Sequence, residues 1–201
     1  MAPKSASQFK EEREKSRAAI MDTALELFAH NGYYGTSMER IAKKCGISKG
    51  LIYNYFRSKD DLLKSIFDNG MNIIKQLMMD TFQEKKTPQE QLLAFIDMSL
   101  NKEVINDHFW RFYFSLMVNP DISDIHRTIF TKEFKTLFKL LENVFEKLGA
   151  PDPFAESRIF GAILDGVGLH YMLSPNDYPV DEVRKRIIAR YKLAEPIGDN
   201  R

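Results

Sequence analysis

Thr36-Ser37-Met38-Glu39-Arg40-Ile41-Ala42-Lys43-Lys44-Cys45-Gly46-Ile47-Ser48-Lys49-Gly50-Leu51-Ile52-Tyr53-Asn54-Tyr55-Phe56-Arg57-Ser58-Lys59 is the stretch whose reading decides the fold. Thr36, with Glu39 three residues on, reads as a capping box: hydroxyl and carboxylate each satisfy one of the amides left over at a helix start. Met38, Ile41, Ala42 and Cys45 then recur on one helical face. Gly46 ends that helix, because glycine takes positive φ at little cost. Ser48 caps a second helix. That helix is short, since Ser58 and Asp61 open a third. A helix, a glycine turn and a short second helix make a helix-turn-helix, whose second helix enters the DNA major groove. Ile47, Ile52 and Phe56 can face inward. Lys49, Gly50, Tyr53 and Asn54 on the other face suit phosphates and base edges better than plain solvent.

Upstream, the pattern predicts a helix from about Glu12 to His30 with Ile20, Ala24, Leu27 and Phe28 as its apolar stripe, stopped by Asn31-Gly32. The polar residues 1–12 read as frayed. Arg13 and Arg17 read equally well as phosphate contacts and as solvated charge, and Tyr33 reads as core. Downstream, a long helix runs from Ser58 to about Gln83, and Gly70 would permit a bend. Thr87-Pro88 restarts the chain, with proline at the first helical position. One further helix is predicted from about Lys102 to Val118, carrying Phe109, Trp110, Phe112, Tyr113 and Phe114. Five aromatics in six residues cannot all face one core at helical spacing, so some line a cavity, a second helix or another chain. Asn119-Pro120 stops this run. Helices from Ile122 to Leu148, Phe154 to Leu173 and Val180 to Leu193 follow, the first two separated by a Gly149, Pro151 and Pro153 linker.

The totals narrow the function classes. The 201 residues are 44% hydrophobic and 28% charged, enough for one or two packed domains. Helix formers dominate and no alternating β-branched run occurs, so the class is all-α. The lone Cys45 excludes an internal disulfide framework and a cysteine zinc site, and the four histidines lack metal spacing, so no metal or cofactor is expected. There is no glycine-rich phosphate loop and no nucleophile elbow, which argues against an enzyme. Cys45 reads as structural. No apolar run of about 18 residues spans a membrane, and no apolar segment near the start marks a signal peptide. A cytoplasmic location is expected, with no membrane partner. Residues 1–60 hold eleven Lys and Arg against seven Asp and Glu, and the remainder hold eighteen against twenty-one. The basic excess therefore sits with the helix-turn-helix, as attraction to phosphates requires.

Residues 13–63 closely resemble the DNA-binding domain of the tetracycline-repressor (TetR) family of bacterial transcription regulators. The residues that carry the likeness are Ile20, Ala24, Leu27-Phe28, Gly32-Tyr33, Thr36-Ser37, Ile41-Ala42, Cys45-Gly46-Ile47-Ser48-Lys49-Gly50, Ile52-Tyr53-Asn54-Tyr55-Phe56, Ser58-Lys59 and Leu62. The resemblance implies an N-terminal three-helix helix-turn-helix domain (residues 1–60) and a C-terminal helical ligand-binding and dimerisation domain (residues 61–201), about nine helices in all. It implies DNA contacts from Thr36, Ser48, Lys49, Gly50, Leu51, Tyr53, Asn54, Tyr55 and Lys59. Lys49 would meet a guanine edge or a phosphate, and Asn54 an adenine edge or a phosphate. Leu51 departs from the small or polar residue usual there, which leaves base preference open.

The aromatic region supplies candidate pocket residues: Met78, Phe95, Phe109, Trp110, Tyr113, Phe114, Met117, Phe134, Phe138, Asp165 and His170. Arg111, Asp165 and His170 are polar groups in apolar stretches, readable as ligand partners, as satisfied buried pairs or as a solvated face. In the family the last two helices pair with their mates, so Phe160, Gly161, Leu164, Gly168, Ile187 and Tyr191 are candidate homodimer contacts. The glycines there could permit close approach or instead loosen the helix. The function expected is a dimeric repressor, released from a palindromic double-stranded operator by a small apolar or aromatic ligand. The alternative is a DNA-bound adaptor whose C-terminal domain binds a protein.

Overall fold

A computed structural model of the chain describes residues 5–85, 87–105, 107–117 and 124–193. Ten helices and no strand are found among the described residues: α1 (Ala6–Asn31), α2 (Met38–Lys44), α3 (Lys49–Tyr53), α4 (Lys59–Glu84), α5 (Pro88–Ser99), α6 (Lys102–Ile105), α7 (His108–Met117), α8 (Asp124–Lys147), α9 (Pro153–Leu173) and α10 (Val180–Arg190). None is long and apolar enough to cross a membrane.

Most breaks follow from local chemistry. Gly32 and Gly46 sit at φ 72° and 69°, where glycine avoids the penalty of a Cβ. Ser48, Ser58 and Thr87 accept the amides of Leu51, Asp61 and Glu90. Other boundaries differ from the sequence reading. Residues 6–12 are helical, because Ser5 and Gln8 form a reciprocal capping box (Gln8 N to Ser5 Oγ 3.3 Å, Ser5 N to Gln8 Oε1 2.8 Å). Helix α2 is capped by Ser37, which accepts from Arg40 N at 3.1 Å, and not by a Thr36–Glu39 box. The expected 102–118 helix is two, because the Asp107 carboxylate takes the Phe109 amide at 2.7 Å and starts α7 afresh. That break raises the helix count above the expected nine or so. The last helix ends at Arg190, short of Leu193, with Lys192 at φ 53°. Asn119-Pro120 and Ile122 lie outside the described residues.

The helices enclose two cores. The first gathers Phe28, Ile41, Ala42, Ile52, Phe56 and Leu63 from α1–α4 and extends onto α7. There Phe28 stacks on Phe112 at 5.2 Å between centroids, and Phe67 meets Phe109 edge-on at 5.5 Å. Gly70 has a packing role. A Cβ there would stand 2.3 Å from Phe109 Cε2, so the glycine lets α7 approach α4. The second core centres on the fully buried Phe160, whose ring lies 5.8 Å from Phe95, 5.5 Å from Phe145 and 5.2 Å from Tyr191. It joins α5, α8, α9 and α10 to the end of α4. Helix α7 therefore has one face inside the helix-turn-helix core and the other toward the C-terminal helices.

Candidate nucleic-acid interface and internal cavity

Helix α3 sits on the first core through Ile52, with Ile47 and Phe56 to either side. Its other face is bare. Lys49, Gly50 and Asn54 are exposed, and Leu51 and Tyr53 leave 39% and 46% of their surface to solvent. A Cβ added at Gly50 would meet nothing within 4 Å, so the chain's own packing does not demand glycine there. The open space suits close approach by another backbone. Lys49 pairs with Glu39 at 3.2 Å, both well exposed. Such a surface pair holds a lysine only weakly and yields it to a phosphate. Beside α3 a hollow of about 520 Å³ is lined by Tyr34, Ser37, Lys49, Tyr53, Arg57 and Lys59, among others. Tyr34, Ser37 and Arg57 were not singled out from the sequence. The adjacent hydroxyls of Thr36-Ser37 and the Arg57-Ser58-Lys59 corner were the signals available.

Several expected DNA contacts have other work. Thr36 is 1% exposed, and its hydroxyl donates to the carbonyls of Gly32 (3.0 Å) and Leu27 (3.3 Å). It ties the turn after α1 and cannot present a hydroxyl to phosphate. Lys59 donates to the carbonyls of Tyr33 (2.8 Å) and Thr36 (2.9 Å) and lies 4.2 Å from the Tyr33 ring centre. Burial holds its ammonium below the ordinary lysine range, despite the nearby Asp60 charge that raises it. Of its three N–H groups, these bonds leave one for a phosphate. Tyr33 is core, and its hydroxyl donates to Asp60; desolvation, and then this bond, raise its pKa. Tyr55 is half-buried beneath the Arg13 guanidinium, 5.6 Å from its ring centre. Arg13 also donates to the Asn54 carbonyl at 3.1 Å, and Arg17 bonds Ser65 at 2.8 Å while covering the Phe56 ring. Both arginines thus clamp α1 to the units that follow, which neither a phosphate-contact nor a solvated reading foresaw.

A cavity of about 70 Å³ lies between α5, α7, α8 and α9. Phe95, Trp110, Phe114, Phe134 and Phe138 supply aromatic walls, and Asp165 and Ser99 are its polar members. Asp165 accepts no hydrogen bond from any of the described residues. Desolvation pushes its carboxyl up to about 6. Asp165, Phe134 and Phe138 also border an open notch on the outer side of α8 and α9, so the carboxylate stands where cavity and exterior meet. Trp110 in turn separates the cavity from a wider groove of about 500 Å³ between α1, α4 and α6, where Ile73 and Leu77 are exposed.

Residues 20–66 match the family model described as "Bacterial regulatory proteins, tetR family". Residues 20–66 are thus a DNA-binding domain of the TetR family. The relatives that match along most of the chain are transcriptional regulators. The "Fatty acid metabolism regulator protein" of Bacillus subtilis (strain 168) is 39% identical over 77 residues, which span 38% of this chain and 40% of that protein. The "HTH-type transcriptional regulator BetI 1" of Chromohalobacter salexigens is 27% identical over 179 residues, 84% of this chain and 85% of the relative. Among solved structures, the transcriptional regulator FadR from Bacillus subtilis in complex with stearoyl-CoA superimposes with a TM-score of 0.75. That match covers 87% of this chain and 96% of FadR at 22% identity, a likeness of fold.

Against this TetR-family frame, the remaining expected site residues divide. Phe95, Trp110, Phe114, Phe134, Phe138 and Asp165 converge on the cavity. Four others do not. Met78 is 0% exposed within the second core. Phe109 packs on Gly70 and Phe67. Tyr113 turns to stack on Phe134 at the outer notch, its pKa raised by burial and then by the Asp165 charge. His170 is exposed and stacks on Tyr178. Arg111 is exposed as well, and the Met117 side chain lies outside the described residues. The sequence reading missed Leu137 and Leu141, although they continue the Phe134 and Phe138 face at helical spacing.

Most of the expected dimer contacts are taken up inside the single chain. Phe160, Leu164 and Ile187 are 0%, 7% and 5% exposed inside the single chain. Tyr191 packs on Phe145 and Phe160 and donates to Glu156 at 3.1 Å, with burial the first cause raising its pKa to about 12. Gly161 and Gly168 face inward: a Cβ would lie 2.8 Å from Phe138 at the first and 3.7 Å from Phe114 at the second. Their smallness serves rings of α8 and α7. The outward stripe of α9 consists instead of Ile159, Ala162, Gly166 and Leu173, the first and last being 47% and 74% exposed.

Proposed function

We propose that the chain acts as a homodimeric repressor, placing two copies of α3 in successive major grooves of a palindromic operator. A small effector with an apolar or aromatic body enters the cavity and releases the DNA. Residues 1–60 form the reading unit and residues 61–201 the sensing and pairing unit. The observation that carries this reading is the division of α7. Phe112 and Phe109 lie in the helix-turn-helix core, while Phe114, which borders that core, and Trp110, packed against it, also line the cavity. A ligand that moves the second pair must move the first, and it favours whichever arrangement of the two α3 helices it binds better. Helix α4, shared by both cores, carries the same displacement. The outward α9 stripe is an apolar surface suited to a second copy. The cavity beside Trp110 favours a small molecule over a protein-binding adaptor.

The stearoyl-CoA held by FadR makes acyl chains one ligand class to try. At about 70 Å³ the cavity is well below the roughly 300–1,000 Å³ of sites for drug-sized molecules. Any such ligand therefore displaces its aromatic walls. The DNA reading is tested by selecting binding sites from a random duplex library. An inverted repeat is expected, and the Lys49→Ala/Tyr53→Ala double variant should bind it at least about tenfold more weakly. Unchanged affinity in a folded dimer would sink the assignment of α3.

A further inference from the structure

We infer that the effector is an organic cation, an amine or quaternary ammonium carried on an apolar body, held by Asp165 against aromatic faces. This rests on the cavity being the effector site. A partly buried carboxylate left without a donor among the described residues is costly, and a positive charge arriving beside it offsets that cost. Around it the walls are rings: Phe134 and Phe138 on α8, and Trp110 and Phe114 on α7. Ring faces carry negative quadrupole potential, so they attract a cation and offer nothing to an anion. An acidic ligand would meet both this potential and the Asp165 charge. The surrounding charges do not alter this balance. Arg158, on α9 and lining the same notch, is paired to Glu142 and stacked on Phe154 at 3.9 Å. Tyr113 on α7 is the other ionisable neighbour, and α5 presents Ser99. The position of Asp165 on both cavity and notch gives the cation a way in that passes the carboxylate first.

The chain's single tryptophan is Trp110, so its emission reports on this wall and on the groove behind it, and the Asp165→Asn variant separates the two. The intact protein is titrated with benzyltrimethylammonium, its neutral isostere neopentylbenzene and the anion 3-phenylpropionate, each also followed by thermal shift. The cation is expected to bind at least about tenfold more tightly than the isostere. Asp165→Asn, close in shape, should remove that advantage and leave the isostere unchanged. In the unaltered protein, cation affinity should fall about tenfold per pH unit below about 6, with no such loss for the isostere. Equal binding of cation and isostere, tighter binding of the anion, or indifference to Asp165→Asn overturns the cation while leaving the cavity as the site. Silence from all three probes in both measurements overturns the cavity reading as well.

Discussion

The reading unit and the cavity treat buried polar groups in opposite ways. Around Phe28 each one is tied: the Thr36 hydroxyl reaches two carbonyls, the Lys59 ammonium two more, and the Tyr33 hydroxyl meets Asp60. Around Trp110 there is space, and Asp165 has no donor among the described residues. Satisfied polar groups fix one arrangement of the backbone. An unsatisfied one beside empty volume leaves part of the binding free energy to be supplied by a ligand. One region thus holds the geometry of α3, and the other, on the function proposed above, responds.

The sharpest way to break this contrast is to cut a ring from each side. Phe28→Ala removes a fully buried ring from the dense core and should cost about 3–5 kcal/mol by denaturant unfolding. Phe138→Ala, beside existing space, should cost less than half of that; equal losses would show that the cavity wall is as tightly packed as the reading unit.

Asp165 gives the next effect, with the opposite sign. Its carboxyl lies at about 6 in the folded chain against an ordinary 3.8. An acid raised in this way costs stability above the folded value and ceases to do so below the unfolded one. Asp165→Asn should therefore stabilise the unliganded protein at pH 7, by on the order of 3 kcal/mol at most. The gain should shrink between pH 6 and 4. A destabilised variant at pH 7 would mean that the carboxylate has a partner.

Thr36→Val keeps the shape and removes the hydroxyl. A loss of about 1–2 kcal/mol is expected from two buried carbonyls deprived of their donor. DNA affinity of the folded variant should be unchanged. A tenfold weaker complex would restore Thr36 as a phosphate contact. Smallest of all is Ser5→Ala. The capping box there starts a helix whose first turns are exposed, so only about 0.5–1 kcal/mol is at stake, read as faster amide exchange over residues 6–10.

The fold was largely legible because its punctuation is local. Gly32, Gly46, Ser48, Ser58 and Thr87-Pro88 end or begin helices by chemistry within four residues of themselves. Where two neighbours offer the same chemistry, local reading fails. Thr36 and Ser37 both carry hydroxyls, and only tertiary packing decides which caps α2 and which is buried. The same holds at the cavity. The aromatic run announced that α7 must have two faces, but not that Phe109 would fill the space beside Gly70. The small residues of α9 advertised close approach without saying to what. The answer is rings of α7 and α8, brought near by long-range packing that leaves no trace in spacing. Asp165 stood out as polar among apolar neighbours, yet whether it had a partner depended on four helices at once.

The two glycines of α9 also bear on how such a regulator could change its effector over generations. At Gly161 a Cβ would stand 2.8 Å from the Phe138 ring, so that position accepts no side chain unless the ring or α8 shifts. At Gly168 a methyl group would rest at ordinary contact distance, 3.7 Å, from Phe114. Alanine there would also favour the helix by roughly 1 kcal/mol. A single-nucleotide replacement at one site is thus free to shrink the chamber without harming the scaffold, while the other stays locked. On the function proposed above, diversification of ligand preference has a ready path through residue 168, and that path leaves α3 untouched.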